Sequence, residues 1–538
     1  MRSWRGKLLF LLTFVPFLSI YPFSSRAATF CVTELEDDGQ ATSNCTESCD
    51  LSVVCSLRSA IAAANDNVNE PTVDIINFAP SISGTMTLFS DTTDDDSPIV
   101  VESVEINGPG ADVLTIDGNG NQWVIGFDPV NSDTTFAVSG LTLTGIRPTS
   151  AGVPIPVTAK VLILPLILGE GNVGNTMATI SECVITGEGR GIVSFGGGPL
   201  TINNSTISNN SAEDEFLFSG FGAGLLFDGN SLIVRDSTFS GNSAAGDENG
   251  DGPGGGGIAI MDQNVSNNID SITAELTNVT ISDNETNGFG GGILIDGDPS
   301  TDIDVTLRNV TIANNRANID GADDGAGAGL AADLDGGSSL QLFNVLIAGN
   351  SVGAGGFEPD CSVSNGSATS NGFNLVEDPA GCAGIPSGSD ITGEDPLLGD
   401  LQNNGGFTDT QALGDGSPAI NAGGDCPPPS TDQRGISRPQ GSACDIGAFE
   451  AVVCGDGTRG PGEECDPGVD ECCASDCQFA AAGTTCDNGT CDDAGQCVSD
   501  GEGDGGCALG SMSDLSILGL LPMLLALAGL ALFRRKVG

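Results

Sequence analysis

Carboxylates and carboxamides supply nearly all the chemistry open to this chain, because its 538 residues include no histidine. Neither a His general base nor the common His-ligated metal site is therefore available. Lys160 is the sole lysine between Lys7 and Lys536, so lysine chemistry narrows to one side chain. Asp247, Asn249 and Asp251 set oxygen ligands at alternate positions ahead of Gly252, like the first half of a calcium loop. Ile258 stands where such a loop wants a bidentate glutamate, so the loop is incomplete. Asp320, Asp323 and Asp324 could form a second oxygen cluster. No cofactor is required by these residues, calcium is the candidate ligand, and plain solvated acidic loops are the competing reading. Clustered aspartates beside one of the coil arginines, Arg190, Arg235, Arg308 or Arg316, would suit a polysaccharide lyase or hydrolase, but no signature of either class is present. Cys183 falls where later copies of a repeat carry Ser205, Ser237, Val279, Val310 and Val345, which reads as a buried inert thiol.

These side chains hang on a repeated frame. An Asn-x-Thr-Ile-Ser-x-Asn phrase, or a close variant, recurs five times, ending at Asn210, Asn242, Asn284, Asn315 and Asn350. Each copy follows a short alternating run such as Leu200, Thr201, Ile202, the period of a half-buried strand. A glycine cluster and another apolar strand follow each of the first four copies, so one period holds about three strands and three bends. So small a unit cannot bury its apolar face alone, but stacked copies make a continuous core. Ile207, Phe239, Ile281, Ile312 and Ile347 are expected to fill that core, while the asparagines tolerate left-handed bends and bond to the amide in the next coil. The sequence thus predicts an all-β, right-handed parallel β-helix over residues 104–350. Seventy-nine glycines and Thr/Ile/Val runs argue against a helical solenoid. The apolar run at residues 153–168 contains Pro154, Pro156, Lys160 and Pro165 and reads as strand and loop.

The termini carry addresses. Residues 1–27 have Arg2, Arg5 and Lys7, an apolar stretch and small residues up to Ala27 and Ala28, the layout of a secretory signal. Eighteen cysteines in an exported chain favour disulfides. Seven of the 17 basic residues lie in the two end segments, which leaves ten against 72 acidic ones. Such a surface repels nucleic acid and polyanionic sugars and attracts divalent cations. Residues 451–506 contain Cys454, Cys465, Cys472, Cys473, Cys477, Cys486, Cys491 and Cys497, a disulfide-held stalk or, less well suited to an exported chain, a zinc module. Residues 507–538 follow Gly506, start at Cys507, run through nineteen mostly apolar residues and close on Arg534, Arg535 and Lys536, long enough to span a bilayer with the end cytoplasmic.

Several stretches carry family likenesses. Residues 55–65, CSLRSAIAAAN, within an N-terminal segment 28–103 that also holds Cys31, Cys45, Cys49 and Cys55, resemble the CSLREA motif of secreted bacterial β-helix proteins, with Ser59 in place of the usual Glu. That resemblance implies an amphipathic helix capping the rod and no catalytic role. Residues 351–450 resemble the choice-of-anchor Q domain through Asn371 to Leu375, Asp395 to Leu398, Leu401 to Gly406, Gly416 to Gly423, Asp432 to Gly435, Arg438-Pro439 and Cys444 to Glu450. The likeness implies a C-terminal cap, within which Cys361 with Cys382, and Cys426 with Cys444, are candidate local bridges. The cysteine-rich stretch resembles repeats of myxobacterial surface proteins, and the tail resembles sorting signals of that type. Processing there would leave Cys507 as a new end and a lipid attachment point; a permanent transmembrane anchor is the alternative.

Taken together, the sequence reads as an exported protein of a Gram-negative bacterium, held at the cell surface or outer membrane through its C-terminal helix or a lipidated Cys507. Its expected role is adhesive or structural, with a cell-surface glycan or protein as ligand. A carbohydrate-active enzyme is the alternative.

Overall fold

The computed structural model describes residues 27–452 apart from short interruptions, chiefly 66–71, 90–97, 147–158, 164–176, 213–219, 245–253, 263–270 and 322–324, together with isolated positions between 465 and 499. The chain divides into two units with the break at Val453.

In the first unit the strands stack coil upon coil. Three parallel sheets of nineteen, nine and four strands run along it, and each strand pairs with its counterpart one coil away. Ser231–Ser240, Ser271–Ser282 and Asp302–Ala313 form the longest ladder, with Ile233 opposite Glu275 and Glu275 opposite Thr306. Those long strands merge two of the expected short ones, and a left-handed residue marks the joint. Asn204, Asp236, Asn278, Asn309 and Asn344 have φ of 44°, 50°, 54°, 52° and 58°, the region that asparagine and aspartate tolerate best among non-glycine residues. Ile207, Phe239, Ile281, Ile312 and Ile347 are fully buried, as are Leu232, Leu276, Leu307 and Leu342 on the strand stretch ahead of each bend. A parallel β-helix, all-β apart from one helix among the described residues, is the result.

Glycine stands ahead of four consecutive strands of the nine-stranded sheet, at Gly224, Gly257, Gly292 and Gly329, for a steric reason. A Cβ on Gly292 would sit 2.5 Å from the Gly329 carbonyl oxygen of the next coil, so a side chain there would push the coils apart.

Pairing extends beyond residues 104–350 at both ends. Thr29–Val32 pairs with Asp74–Phe78, which pairs with Val104–Asn107, so the coils begin inside the expected N-terminal segment. Helix Leu57–Asn65 packs over that end, burying Leu57, Ala60, Ile61 and Ala64 in the common core. Downstream, Cys361–Ser364, Leu375–Val376 and Ile391–Thr392 continue the stack. Cys382 and Ile385 then plug the interior, with Cys382 bridged to Cys361.

Residues 351–450 read as a cap over the end of the rod, yet their second half does something else. The antiparallel pair Leu398–Gln402 and Thr410–Leu413, with the segment up to Glu450, lies along the side of the coils. The reason is a row of outward threonines, Thr238, Thr280 and Thr311, whose hydroxyls need partners once covered; Asp409, Gln433 and Ala448 supply them. We call this segment the lateral clasp.

In the second unit, Thr485–Cys486, Gly489–Cys491 and Cys497–Ser499 form a small antiparallel sheet, with disulfides Cys465–Cys473 and Cys472–Cys491. No helix among the described residues is long and apolar enough to cross a membrane. The signal up to Arg26, Cys454, Cys477, Gly506, Cys507 and the apolar tail lie outside the described residues.

Candidate functional site

The motif residues come first, since their types would suit catalysis. Arg58 of the CSLR stretch forms an ion pair with Asp37, whose carboxylate receives Nη2 at 2.7 Å and also accepts the Phe89 amide. Burial alone would raise the Asp37 pKa, but these donors hold it below the usual aspartate value. Ser56 caps the helix by accepting the Ser59 amide at 3.2 Å, and the Ser59 hydroxyl meets Ser56 Oγ in place of a capping-box glutamate. Cys31–Cys49 and Cys45–Cys55 staple the same end. Each of these residues is engaged in holding the start of the rod.

The clasp gathers the densest set of charges. Arg434 donates to both Asp432 Oδ2 and the Glu450 carbonyl while its guanidinium lies 3.6 Å from the centre of the Phe449 ring. Arg438 pairs with Glu450 at 3.2 Å and donates to the Asp445 and Gly447 carbonyls. Both pairs are buried. Burial pushes Asp445 and Glu450 upward and Arg438 downward, opposed by their mutual attraction. Gly447 takes a φ of 103° and passes so close to the rod that a Cβ would meet Thr311 Oγ1 at 2.7 Å. Cys426–Cys444 closes the clasp. Carboxylates and arginines so arranged could move protons, but they are buried and bonded to one another and to backbone groups of the clasp.

Inside the rod, Asn210, Asn242, Asn284, Asn315 and Asn350 form a continuous amide ladder. Each Nδ2 donates to the next Oδ1 at 2.8–3.0 Å and to a carbonyl of the preceding coil at 3.0–3.2 Å. Asp360 ends it, accepting Asn350 Nδ2 at 2.8 Å and the Asp378 amide at 2.7 Å. Burial pushes its carboxyl up to about 6.

In the coil above Asn210 the ladder is replaced by a cation. Lys160, on strand Ala159–Ile163, donates to the carbonyls of Gly187, Glu188 and Gly189, each at 2.6 Å. Three acceptors suit an ammonium, whereas burial pushes the pKa down to about 7. Sequence reading placed Lys160 in a strand-and-loop run without finding this seat, because the acceptors are backbone atoms of a remote turn. Cys183 is the free cysteine among the described residues, buried, with a thiol pushed up to about 12 by desolvation.

The open faces differ. Arg235 stands beside Glu275 at 4.0 Å, Arg316 beside Glu285 at 3.4 Å, and Arg308 lies over the Phe343 ring at 4.3 Å, all on the outside of the coils. Between the clasp and the corner bends lies a polar cleft of ≈ 400 Å³ lined by Asn209, Ser240, Gly241, Asp283, Asn314, Asp400 and Leu401. It brings together two carboxylates, Asp283 and Asp400, and none of its lining residues is an arginine. Of the calcium candidates, Asp247, Asn249, Asp251, Asp323 and Asp324 lie outside the described residues, and Asp320 is exposed on a turn. Among the described residues no three His, Cys, Asp or Glu side chains cluster as metal ligands.

No family model matches the chain, and no curated protein matches it. Solved structures similar to it include the pectate lyase Pel9A, at 14% identity and a TM-score of 0.43, covering 79% of this chain and 97% of that one. Another is the A-module of the Azotobacter vinelandii mannuronan C-5 epimerase AlgE4, at 15% identity and a TM-score of 0.24, covering 57% and 96%. Neither likeness bears on chemistry.

Proposed function

We propose that this chain is an exported, right-handed β-helix held at the surface or outer membrane of a Gram-negative bacterium, where it binds an extracellular glycan or protein and catalyses nothing. One observation carries the reading. The acid–base constellation of the clasp, Asp432, Arg434, Arg438, Asp445 and Glu450, is spent on buried internal bonds, while the solvent-facing surfaces are flat ladders of Ser, Thr, Glu and Arg. Attachment runs through the cysteine-rich stalk to residues 507–538, either as a membrane-spanning helix or through a lipid on Cys507 after processing beside Gly506. Calcium at Asp247, Asn249 and Asp251, or at Asp320, Asp323 and Asp324, belongs to this reading as a loop-ordering ion. The ten-to-72 balance of basic and acidic residues makes nucleic acid an unsuitable partner.

The polar cleft supports a second reading, a glycan hydrolase, since Asp283 and Asp400 are two carboxylates lining one accessible site. Incubation of the full-length chain with a polysaccharide panel in the presence of calcium separates the two. Retention on a polymer without new reducing ends or unsaturated products is expected. Turnover abolished by Asp283→Asn or Asp400→Asn would establish the enzyme instead.

A further inference from the structure

A column of phenylalanines runs along one corner of the rod. Phe221 bridges to Gly254, Gly254 bridges to Phe289, the Gly290 amide donates to the Ala326 carbonyl, and Ala326 bridges to Phe357. These positions lie on five successive coils, each four residues ahead of a strand of the nine-stranded sheet. The first four are followed by glycines with φ of 57°, 69°, 63° and 59°, at Gly222, Gly255, Gly290 and Gly327, and Phe357 by Glu358 at 56°. The bend is therefore the same on every coil, and in-register parallel partners point the same way. Aromatic rings recur on alternate coils with a small residue between them, a pitch of about 10 Å at two strand spacings. Phe289 and Phe357 are 36% and 51% exposed, although large apolar side chains elsewhere on the coils are almost all buried.

We propose that this column binds an extended glycan with a two-fold screw, of the cellulose or chitin kind, lying along the rod. The proposal rests on the binding function above and names its ligand class. In such a chain each sugar is turned over relative to its neighbour, so the same C–H face recurs once per disaccharide, and that length matches the two-coil pitch. The apolar C–H face stacks on the π face of a phenylalanine, and Gly254 and Ala326, both buried, put no side chain out between the rings. Charge settles the remaining chemistry. With ten basic and 72 acidic residues between the end segments, the surface repels a polyuronate and admits a neutral or amine-bearing polymer.

Calorimetric titration of the full-length chain with cellohexaose, chitohexaose and an oligogalacturonate tests this, with Phe289→Ala, Phe357→Ala and the double variant as comparisons. Binding of a neutral oligosaccharide is expected, weakened about tenfold by each substitution, with the melting temperature nearly unchanged for Phe357→Ala, the more exposed ring, and moderately lowered for Phe289→Ala. The oligogalacturonate should bind weakly or not at all. Glycan binding that ignores both substitutions overturns the phenylalanine column and leaves the wider binding function standing. Preference for the oligogalacturonate overturns the ligand class. A dimer of this chain that dissociates on Phe289→Ala, without any glycan response, would assign the column to self-association instead, and binding to neither glycan nor cell-surface protein would overturn both readings.

Discussion

Gln433 and Thr238, 195 residues apart in sequence, share a hydrogen bond of 2.8 Å in a fully buried setting. The same amide nitrogen reaches Thr408 Oγ1 at 2.8 Å, and Oε1 of Gln433 accepts the Thr280 hydroxyl at 2.7 Å. One side chain thereby ties the clasp to two successive coils.

Removing that tie should loosen the clasp and leave the coils intact. Gln433→Ala strands the Thr280 hydroxyl in a buried interface and removes the donor to Thr238 Oγ1, whose own hydrogen bond to the Asp409 carbonyl remains, at a cost of about 2–4 kcal/mol. Hydrogen exchange is expected to accelerate across residues 408–450 while the amides of Asp302–Ala313 stay protected. Equal acceleration in both would mean that clasp and coils unfold as one body.

The amide ladder predicts a larger and more global effect. Asn315 accepts from the backbone amide and Nδ2 of Asn284 and donates to the Ile281 carbonyl and to Asn350 Oδ1. Asn315→Ala leaves those buried groups without partners and should destabilise the rod by about 3–5 kcal/mol, read from denaturant midpoints. Asn315→Asp keeps the acceptor but turns Nδ2 into an oxygen facing the Ile281 carbonyl, so no rescue is expected near neutral pH.

Asp360, at the foot of the ladder, sets a pH dependence. Its folded-state pKa is raised to about 6 from 3.8, so between those values the folded chain holds a proton that the unfolded chain has released. Stability contributed by this group therefore increases as pH falls through that window, by on the order of 2 kcal/mol, and is lost as pH rises through 6. Comparison with Asp360→Asn isolates the effect from the other carboxylates. The melting temperature of the native chain, relative to the variant, should be higher at pH 4 than at pH 7, and a pH-independent difference would contradict this assignment.

Periodic features were legible in the sequence, and features without period were not. Ile207, Phe239, Ile281 and their equivalents follow from a repeated phrase, and so do the ladder asparagines, because a stacked coil converts sequence period into spatial column. The Leu57–Asn65 helix follows from its alanine-rich text, and the bridges Cys361–Cys382 and Cys426–Cys444 join residues near in sequence. The clasp eluded that logic because its contacts pair a non-repeating segment with threonines whose outward side looks solvent-facing in an alternating pattern. The phenylalanine column left a faint trace, since the same interval of 68 residues separates Phe221 from Phe289 and Phe289 from Phe357. It escapes a search for one-coil periods because the repeat is two coils long.

Lys160 in its carbonyl seat has a consequence for resistance to proteolysis. Trypsin-like proteases need a lysine or arginine on a segment loose enough to enter their active sites, and Lys160, Arg190 and Arg438 are buried while Arg58 and Arg434 are clamped in ion pairs. Cleavage at those five positions must wait for unfolding, whereas the more exposed Arg235 and Arg316 stay open to attack. The scarcity of cations that keeps this surface acidic makes the same rod durable.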